Sequence, residues 1–170
     1  MTTPWSLPDF DEHEAIHFIS NDECGLKVII AVHSTHLGPA AGGARFWHYA
    51  KDEEALVDAL RLSRGMSYKN AMAGLPLGGG KAVILADEKR AKSPDLLHAF
   101  GKAVDELAGR YVTAEDVGMS VSDMIEVSRT TKYVAGLPNS PGDVGGDPGP
   151  HTSLGVFLGI KAAVKWALGK

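Results

Sequence analysis

The stretch GLPLGGGKAVI, residues 74–84, places three consecutive glycines and a lysine directly before a short apolar run. The residues after Lys81 are typical of a buried strand, because a continuous apolar run bounded by turn signals fits a strand covered on both faces. We expect Gly78, Gly79 and Gly80 to form a loop in which another molecule can approach the backbone beside Lys81. The alternative is that Lys81 is a strand-edge lysine whose ammonium group reaches water.

The glycine run does not match the known phosphate-binding motifs. A P-loop needs Ser or Thr directly after its lysine and lies between a strand and a helix. Here Ala82 follows the lysine, and the order is helix, loop, strand. The dinucleotide fingerprint GxGxxG also fails, because Val83 stands where its third glycine would be. We therefore expect no Rossmann domain in this chain.

Outward from this stretch, strand patterns alternate with helix patterns. An N-terminal β-hairpin is predicted first, then small residues before an extended segment. The predicted strands are 14–20, 26–34, 44–47, 81–85 and one with a polar exit within 110–118, and the predicted helices are 52–73, 94–108, 120–128 and 152–168. This alternation predicts an α/β fold: a three-layer αβα domain with a mainly parallel mixed sheet and an antiparallel N-terminal hairpin.

Composition favours small molecules or proteins as partners. The chain has 170 residues, 44% of them hydrophobic, and a net charge of -4, which argues against nucleic acid or an anionic membrane surface. Cys24 is the single cysteine, so no intramolecular disulfide is possible. The N-terminus does not resemble a signal peptide, and no run approaches the roughly 18 apolar residues needed to span a bilayer. We expect a cytoplasmic protein.

Two further charged residues are candidates for function. Lys69 follows Leu62 and Met66 at helical spacing and precedes Ala73, so it lies on an otherwise apolar stripe and needs an anion. The alternative is that its tip reaches solvent near the end of the helix. Asp116 stands where a strand leads towards a capped helix, the usual place for functional groups in α/β sheets. It could also simply cap the turn.

Four segments together resemble one enzyme family. They are LGPAAGGARFW (37–47), EEALVDALRLSRGMSYKNAMAGLPLGGGKAVI (53–84), YVTAEDVG (111–118) and GGDPGPHTSLGV (145–156). They are similar to the N-terminal, substrate-binding and dimerisation domain of the glutamate/leucine/phenylalanine/valine dehydrogenases, and look nearer to the leucine and phenylalanine enzymes. The resemblance implies that residues 1–170 are this single domain and that the C-terminal NAD-binding domain is absent.

The resemblance also implies an activity and roles for particular residues. The family oxidatively deaminates an L-amino acid to a 2-oxo acid and ammonia, with NAD or NADP in the complete enzyme; we expect neither cofactor nor metal on this chain alone. Lys69 matches the residue that holds the substrate carboxylate, helped by backbone at Gly42 or Gly43. Lys81 matches the lysine that works with the attacking water, and Asp116 the residue that shuttles protons to and from the amino group. Two partly desolvated lysines in one cleft would lower a lysine pKa, so that it can act as a base.

Side-chain selectivity is assigned to the same region. By resemblance Ala41 and Ala114 set the size of the pocket, with Met66 beside the substrate, and alanine at the first position predicts a bulky apolar amino acid such as phenylalanine or a long branched aliphatic one. His151 departs from the family pattern; it is either a cleft residue or, as we prefer, a surface histidine. The alternative function is a non-catalytic ligand-binding or oligomerisation module. A homo-oligomer is expected through this domain, whose N-terminal strand edge can pair with another copy.

Overall fold

A computed structural model describes residues 3–89, 91–138 and 145–169. After a short 3-10 turn at Pro4–Ser6, strands and helices follow in nearly the predicted order. The strands are β1 (Ala15–Asn21), β2 (Leu26–Ser34), β3 (Ala40–Trp47), β4 (Gly78–Leu85) and β5 (Tyr111–Glu115). The helices are α1 (Asp52–Met72), α2 (Pro94–Asp105), α3 (Val121–Ser128) and α4 (Gly149–Leu168).

The five strands form one mixed sheet in the order β1-β2-β4-β3-β5. Strand β2 is antiparallel to both of its neighbours, whereas β3 is parallel to β4 and to β5. Strands β1, β3, β4 and β5 therefore run in one direction, and β2 runs in the opposite direction. The hairpin of β1 and β2 pairs Ala15 with Val32 at one end and Asn21 with Leu26 at the other. The predicted α/β class, mixed sheet and antiparallel hairpin are confirmed.

Helices cover both faces of this sheet, which explains why its central strands read as unbroken apolar runs. Along β2, Val28 and Ile30 pack towards α2 and α3, while Ile29 and Ala31 pack towards α1. On the α2 side the core includes Leu97, Phe100 and Met124, and on the α1 side Ala55 and Ala59. The three layers predicted from the alternation of strands and helices are present.

Local sequence signals account for several helix ends. The Ser93 hydroxyl accepts a hydrogen bond from the backbone N–H of Leu96 at the start of α2, and Ser120 and Asp123 form a capping box at α3. Helix α4 ends at Gly169, which has a left-handed φ of 64°. It begins at Gly149, three residues before the predicted start, because the proline that follows suits a first helical turn.

The glycine-rich segments differ from expectation. Gly78, Gly79 and Gly80 are not a loop: they are the buried first residues of β4. A Cβ on Gly79 would lie 2.2 Å from the Ser67 Oγ and 2.3 Å from the Ser67 backbone nitrogen, and one on Gly80 would lie 2.6 Å from the Tyr111 ring. The missing side chains therefore let the protein pack against itself rather than admit a ligand. Residues 40–43, expected to be an irregular stretch before a strand, are likewise the first half of β3.

Helix α4 differs from the other helices in its surroundings. None of its described residues is buried. Its large apolar side chains are exposed on every side, among them Leu154, Val156, Phe157, Leu158, Ile160, Val164, Trp166 and Leu168. No helix in the described ranges is long and apolar enough to cross a membrane.

Candidate active site

Lys81 and Asp116 lie together, as the sequence predicts. Lys81 is in the middle of β4 and only 5% exposed, and its Nζ is 2.8 Å from the Oδ2 of Asp116. Asp116 directly follows β5, so β3 separates the two strands that carry the pair. At this level β3 contributes Gly43, paired with Ala114 of β5. Because Gly43 has no side chain, the lysine can reach across β3 to the carboxylate; the alternative of a lysine tip in water is wrong.

Arg45 extends this pair into a cluster that sequence reasoning missed. Its Nε donates to Asp116 Oδ2 at 3.1 Å, and its Nη1 donates to Asp58 Oδ2 at 2.8 Å. The Tyr49 hydroxyl also donates to Asp58 Oδ2, at 2.8 Å. We call Lys81, Asp116, Arg45 and Asp58 the charge cluster. A signal was present: Arg45 is a charged residue in a strand whose neighbours are largely buried, and such residues need partners.

Burial and neighbouring charges together determine the pKa values of Lys81 and Asp116, and the balance differs between the two residues. Burial lowers the pKa of Lys81, with Asp116 opposing this effect and Arg45 adding to it. Burial acts to raise the pKa of Asp116, but hydrogen bonds and charge from Lys81 and Arg45 outweigh it, so that pKa lies below its usual value. Asp116 is therefore ionised at neutral pH. The cation that repels Lys81 here is Arg45, rather than the second lysine that was expected.

The glycine pair of β3 forms the backbone beside the charge cluster. A Cβ on Gly43 would lie 2.5 Å from the Glu115 carbonyl oxygen and 2.8 Å from the Asp116 Cβ. A Cβ on Gly42 would lie 1.8 Å from the Gly80 carbonyl oxygen. The buried Tyr111 hydroxyl donates to the Gly42 carbonyl at 2.6 Å, a contact that sequence reasoning also missed. Any side chain at Gly43 would displace Asp116.

The remaining predicted residues lie on β3, β5, α1 and α4. Ala41 and Ala114 are half-buried; they alternate with residues that face α2, so they lie on the α1 side of the sheet with Lys81. The Met66 Cγ comes within 3.2 Å of where a Cβ on Gly42 would be. His151 is exposed at the first turn of α4, which fits the preferred interpretation of a surface residue.

Lys69 is placed differently from the prediction. Its side chain is exposed, and the stripe it shares with Leu62, Met66 and Ala73 is half-buried to exposed rather than buried. The buried residues of α1 are Ala55, Ala59, Leu60, Ser63 and Asn70, so the stripe lies on the flank of the helix. Three residues after Met66, Lys69 is on the side of α1 that faces Gly42. Within the described ranges it makes no ion pair, and its exposed side chain is accessible to solvent.

A groove of about 550 Å³ lies elsewhere in the molecule. It runs between the hairpin and the start of α1, and residues lining it include Leu7, Phe18, Lys27, Asp52 and Leu56. No residue of the charge cluster lines it. No group of three or more His, Cys, Asp or Glu residues in the described part of the chain could hold a metal ion.

A mixed sheet with a lysine–carboxylate pair beside a glycine backbone defines a candidate proton-transfer site in an α/β domain. Residues 13–133 match the family described as Glu/Leu/Phe/Val dehydrogenase, dimerisation domain. A leucine dehydrogenase of Geobacillus stearothermophilus is 52% identical over 158 residues, which are 93% of this chain and 43% of that protein. A valine dehydrogenase of Streptomyces virginiae is 53% identical over 153 residues, 90% of this chain and 42% of that protein. The chain belongs to the Glu/Leu/Phe/Val dehydrogenase family, and the family prediction is confirmed.

Solved structures agree with this assignment. The L-tryptophan dehydrogenase of Nostoc punctiforme superposes with a TM-score of 0.74 at 48% identity, over 94% of this chain and 44% of that one. A hetero-hexameric glutamate dehydrogenase of Thermus thermophilus has a TM-score of 0.68 at 23% identity, over 82% of this chain and 36% of that one, and so shares the fold. The chain spans less than half the length of these relatives.

Proposed function

We propose that the chain is the substrate-binding part of an amino-acid dehydrogenase. The reaction is oxidative deamination of an apolar L-amino acid to a 2-oxo acid and ammonia. The observation that carries the proposal is the buried Lys81–Asp116 pair, with 2.8 Å between Nζ and Oδ2, in a domain of this family. A base of lowered pKa next to an ionised carboxylate is the arrangement that two successive proton transfers require.

Each group of the site has a separate task in this proposal. Lys81, whose ammonium pKa is lowered by burial, takes a proton from the water that attacks the substrate carbon. Asp116 exchanges protons with the substrate nitrogen. Lys69, together with backbone at Gly42 or Gly43, holds the substrate carboxylate, because an exposed lysine head is free to pair with an incoming anion.

The glycine run at 78–80 does not form a dinucleotide cradle. The glycines at 78–80 are inside a strand, and the space beside Gly79 and Gly80 is filled by Ser67 and Tyr111. We therefore assign NAD or NADP, the hydride acceptor expected for the family, to another part of the complete enzyme. A cytoplasmic location, which the single Cys24 favours, belongs to the same proposal.

The substrate class follows from the small residues on the α1 side of the sheet. Ala41 and Ala114 leave room above β3 and β5, and Met66 adds an adaptable apolar wall. We infer a bulky apolar side chain, either branched aliphatic or aromatic. The named activities of the relatives, which include leucine, valine and tryptophan dehydrogenases, support this class.

Calorimetric titration of the chain with L-leucine, L-phenylalanine and their 2-oxo acids tests binding. We expect heat of binding that is lost in Lys69→Ala and kept in Lys102→Ala, since Lys102 is exposed on α2, across the sheet from the site. The absence of any heat of binding in a correctly folded chain would contradict the proposed substrate binding. A preference for glutamate would contradict the substrate class.

Turnover can be measured after the chain is joined to the part of a relative that it does not cover, such as the remaining part of the Geobacillus leucine dehydrogenase. In that protein we expect Lys81→Ala to lower kcat by about a hundredfold or more, because a positioned general base contributes factors of this size. Lys102→Ala is again the matched control. Retained turnover in Lys81→Ala would remove the lysine from its assigned role.

A second proposal is that this domain also associates with another copy of the chain. Strand β1 lies at the edge of the sheet, and Phe18 on it is 60% exposed beside the groove near α1. The family description as a dimerisation domain supports the same idea. Light scattering should find an oligomer that Phe18→Glu dissociates. An oligomer unchanged by that substitution would show that β1 is not the contact.

A further inference from the structure

Arg45 is held at two points by carboxylates from different elements. Its Nη1 bonds to Asp58 on α1, while its Nε bonds to Asp116 after β5. Asp58 is fixed in turn by the Tyr49 hydroxyl, which donates to the same oxygen. The Arg45 and Asp58 side chains are 23% and 18% exposed, so water competes little with these bonds. A planar guanidinium held at two points has little freedom to rotate.

These hydrogen bonds of Arg45 help to determine the orientation of the Asp116 carboxylate. Both Lys81 Nζ, at 2.8 Å, and Arg45 Nε, at 3.1 Å, bond to the same oxygen, Oδ2. Two cations on one oxygen fix the plane of the carboxylate and leave Oδ1 for exchange with a substrate. Without Arg45, the lysine alone would hold Asp116, and a single ammonium group does not define the rotation of a carboxylate.

The positive charge of Arg45 also balances the negative charges of Asp58 and Asp116. The charge cluster has two cations and two carboxylates, and removal of Arg45 would leave two carboxylates facing one lysine. Arg45 lowers the pKa of Lys81 by repulsion and lowers that of Asp116 by attraction. Its loss should therefore move both titrations to higher pH, which leaves a smaller fraction of Lys81 in the neutral form that can accept a proton.

We propose that Arg45, held by Asp58, which Tyr49 fixes in turn, is a positioning residue for the proposed deamination: it orients Asp116 for proton exchange and sets the charge state of the Lys81–Asp116 pair. The inference rests on the proposed function for its catalytic meaning, but its structural and electrostatic content concerns this chain alone. Arg45 bonds to Asp116 and Asp58 and has no assigned contact with the substrate, so its effect on substrate affinity should be small.

The first test is an NMR titration of this chain, following the Asp116 carboxyl carbon and the Lys81 ammonium nitrogen. In Arg45→Gln we expect both groups to titrate at higher pH than in the unchanged chain. Arg61→Gln is the matched control, because the Arg61 Nη2 is 3.6 Å from the other Asp58 oxygen and its exposed side chain has no bond to Asp116. Unmoved titrations in folded Arg45→Gln, or equal shifts in Arg61→Gln, would overturn the inference.

The second test uses the chain joined to the remaining part of a leucine dehydrogenase. We expect Arg45→Gln to lower kcat about tenfold or more with KM for the amino acid changed less than about threefold, and to move the acid limb of the pH profile upwards. Arg45→Lys keeps the charge but cannot bridge both carboxylates, so kcat should fall while the acid limb stays near its original place. Full turnover in Arg45→Lys would overturn the positioning role.

The two proposals fail in different ways. If the unchanged joined protein deaminates no amino acid, the proposed function fails, yet the NMR titrations of the chain still decide whether Arg45 sets the state of Asp116. If the joined protein is active and Arg45→Gln behaves like the unchanged protein in kcat and pH profile, the function stands and the role of Arg45 fails.

Discussion

Helices α1 and α4 have nearly the same length, 21 and 20 residues. They differ in burial: α1 has five buried residues, whereas none of the described residues of α4 is buried. Helix α1 carries charged residues along much of its length and packs closely on β4 and β2. Helix α4 is apolar on all sides, yet none of its described residues is buried. Apolar content therefore does not determine which helix is packed here. Helix α1 instead makes its contact with the sheet through small residues on both surfaces.

The packing of α1 depends on residues with little or no side chain. Ala55 and Ala59 are fully buried against β2 and β4. Further along, the Ser67 backbone comes so near to Gly79 that no Cβ fits between them. By contrast, a Cβ on Gly155 or Gly159 of α4 would meet no atom within 4 Å. The same substitution, glycine to alanine, should thus have opposite effects in the two regions.

The largest effect is expected from Gly79→Ala. The new methyl group would overlap backbone atoms of α1, which cannot move without separating the helix from the sheet, so the free energy of unfolding should fall by about 3 kcal/mol or more. Urea unfolding followed by circular dichroism measures this. Gly65→Ala, in open space on α1, is the control and should not destabilise the chain. Equal stability of Gly79→Ala and the unchanged chain would contradict the close approach.

A smaller loss of stability is expected when a buried side chain between α1 and the sheet is enlarged. Ala59→Leu places three extra carbons at a fully buried position and should cost about 1–3 kcal/mol. The matched change in α4, Leu158→Ala, removes carbons from a side chain that is 53% exposed, and should alter stability by less than about 0.5 kcal/mol. Thermal unfolding of both variants tests the contrast. A large loss in Leu158→Ala would mean that α4 is packed in solution.

The contact of His13 with α1 should also make the free energy of unfolding depend on pH. Burial, the largest effect, lowers the pKa of His13, whose Nε2 lies 3.0 Å from the Leu60 carbonyl oxygen on α1. Between the folded pKa and the ordinary value of 6.5, the unfolded chain binds more protons, so stability rises with pH across this window. The slope for one histidine is at most about 1.4 kcal/mol per pH unit. Unfolding at several pH values should show a smaller slope in His13→Gln; equal slopes would contradict the prediction.

The smallest effect is expected in α4. Gly159→Ala should stabilise the chain by about 0.5–1 kcal/mol at most, because alanine loses less backbone entropy in a helix and nothing opposes its methyl group. Helix content from circular dichroism should rise slightly at the same time. Destabilisation by this substitution would show that another surface approaches α4 as closely as β4 approaches α1.

Much of the fold could be predicted from sequence because its signals are local. Caps such as Ser93 and Ser120 and the apolar runs of β2 and β4 lie within a few residues of what they determine. The family motifs also led to the pairing of Lys81 with Asp116, 2.8 Å apart in the structure. The caps and strands depend on short-range spacing, whereas the pairing of Lys81 with Asp116 was expected only from the resemblance of two separate segments to one family.

The errors came from features that depend on distant contacts. A glycine can mean backbone freedom or the absence of volume, and only the position of Ser67 shows that Gly79 serves the second purpose. Helical spacing placed Lys69 on an apolar stripe but could not tell which stripe of α1 faces the sheet. Arg45 was missed because its two partners, Asp58 and Asp116, come from elements far apart in the chain.

Strand alternation links the chemistry of this domain to the accuracy of its assembly. In β4, Lys81 faces α1, whereas its neighbours Ala82 and Gly80 face the opposite layer. A shift of one residue between β4 and β3 would turn the ammonium group into the hydrocarbon around Phe100. Molecules with such a misaligned strand would lose the ion pair between Lys81 and Asp116 and would bury an unpaired ammonium group, so one contact both forms the candidate site and penalises the wrong strand register.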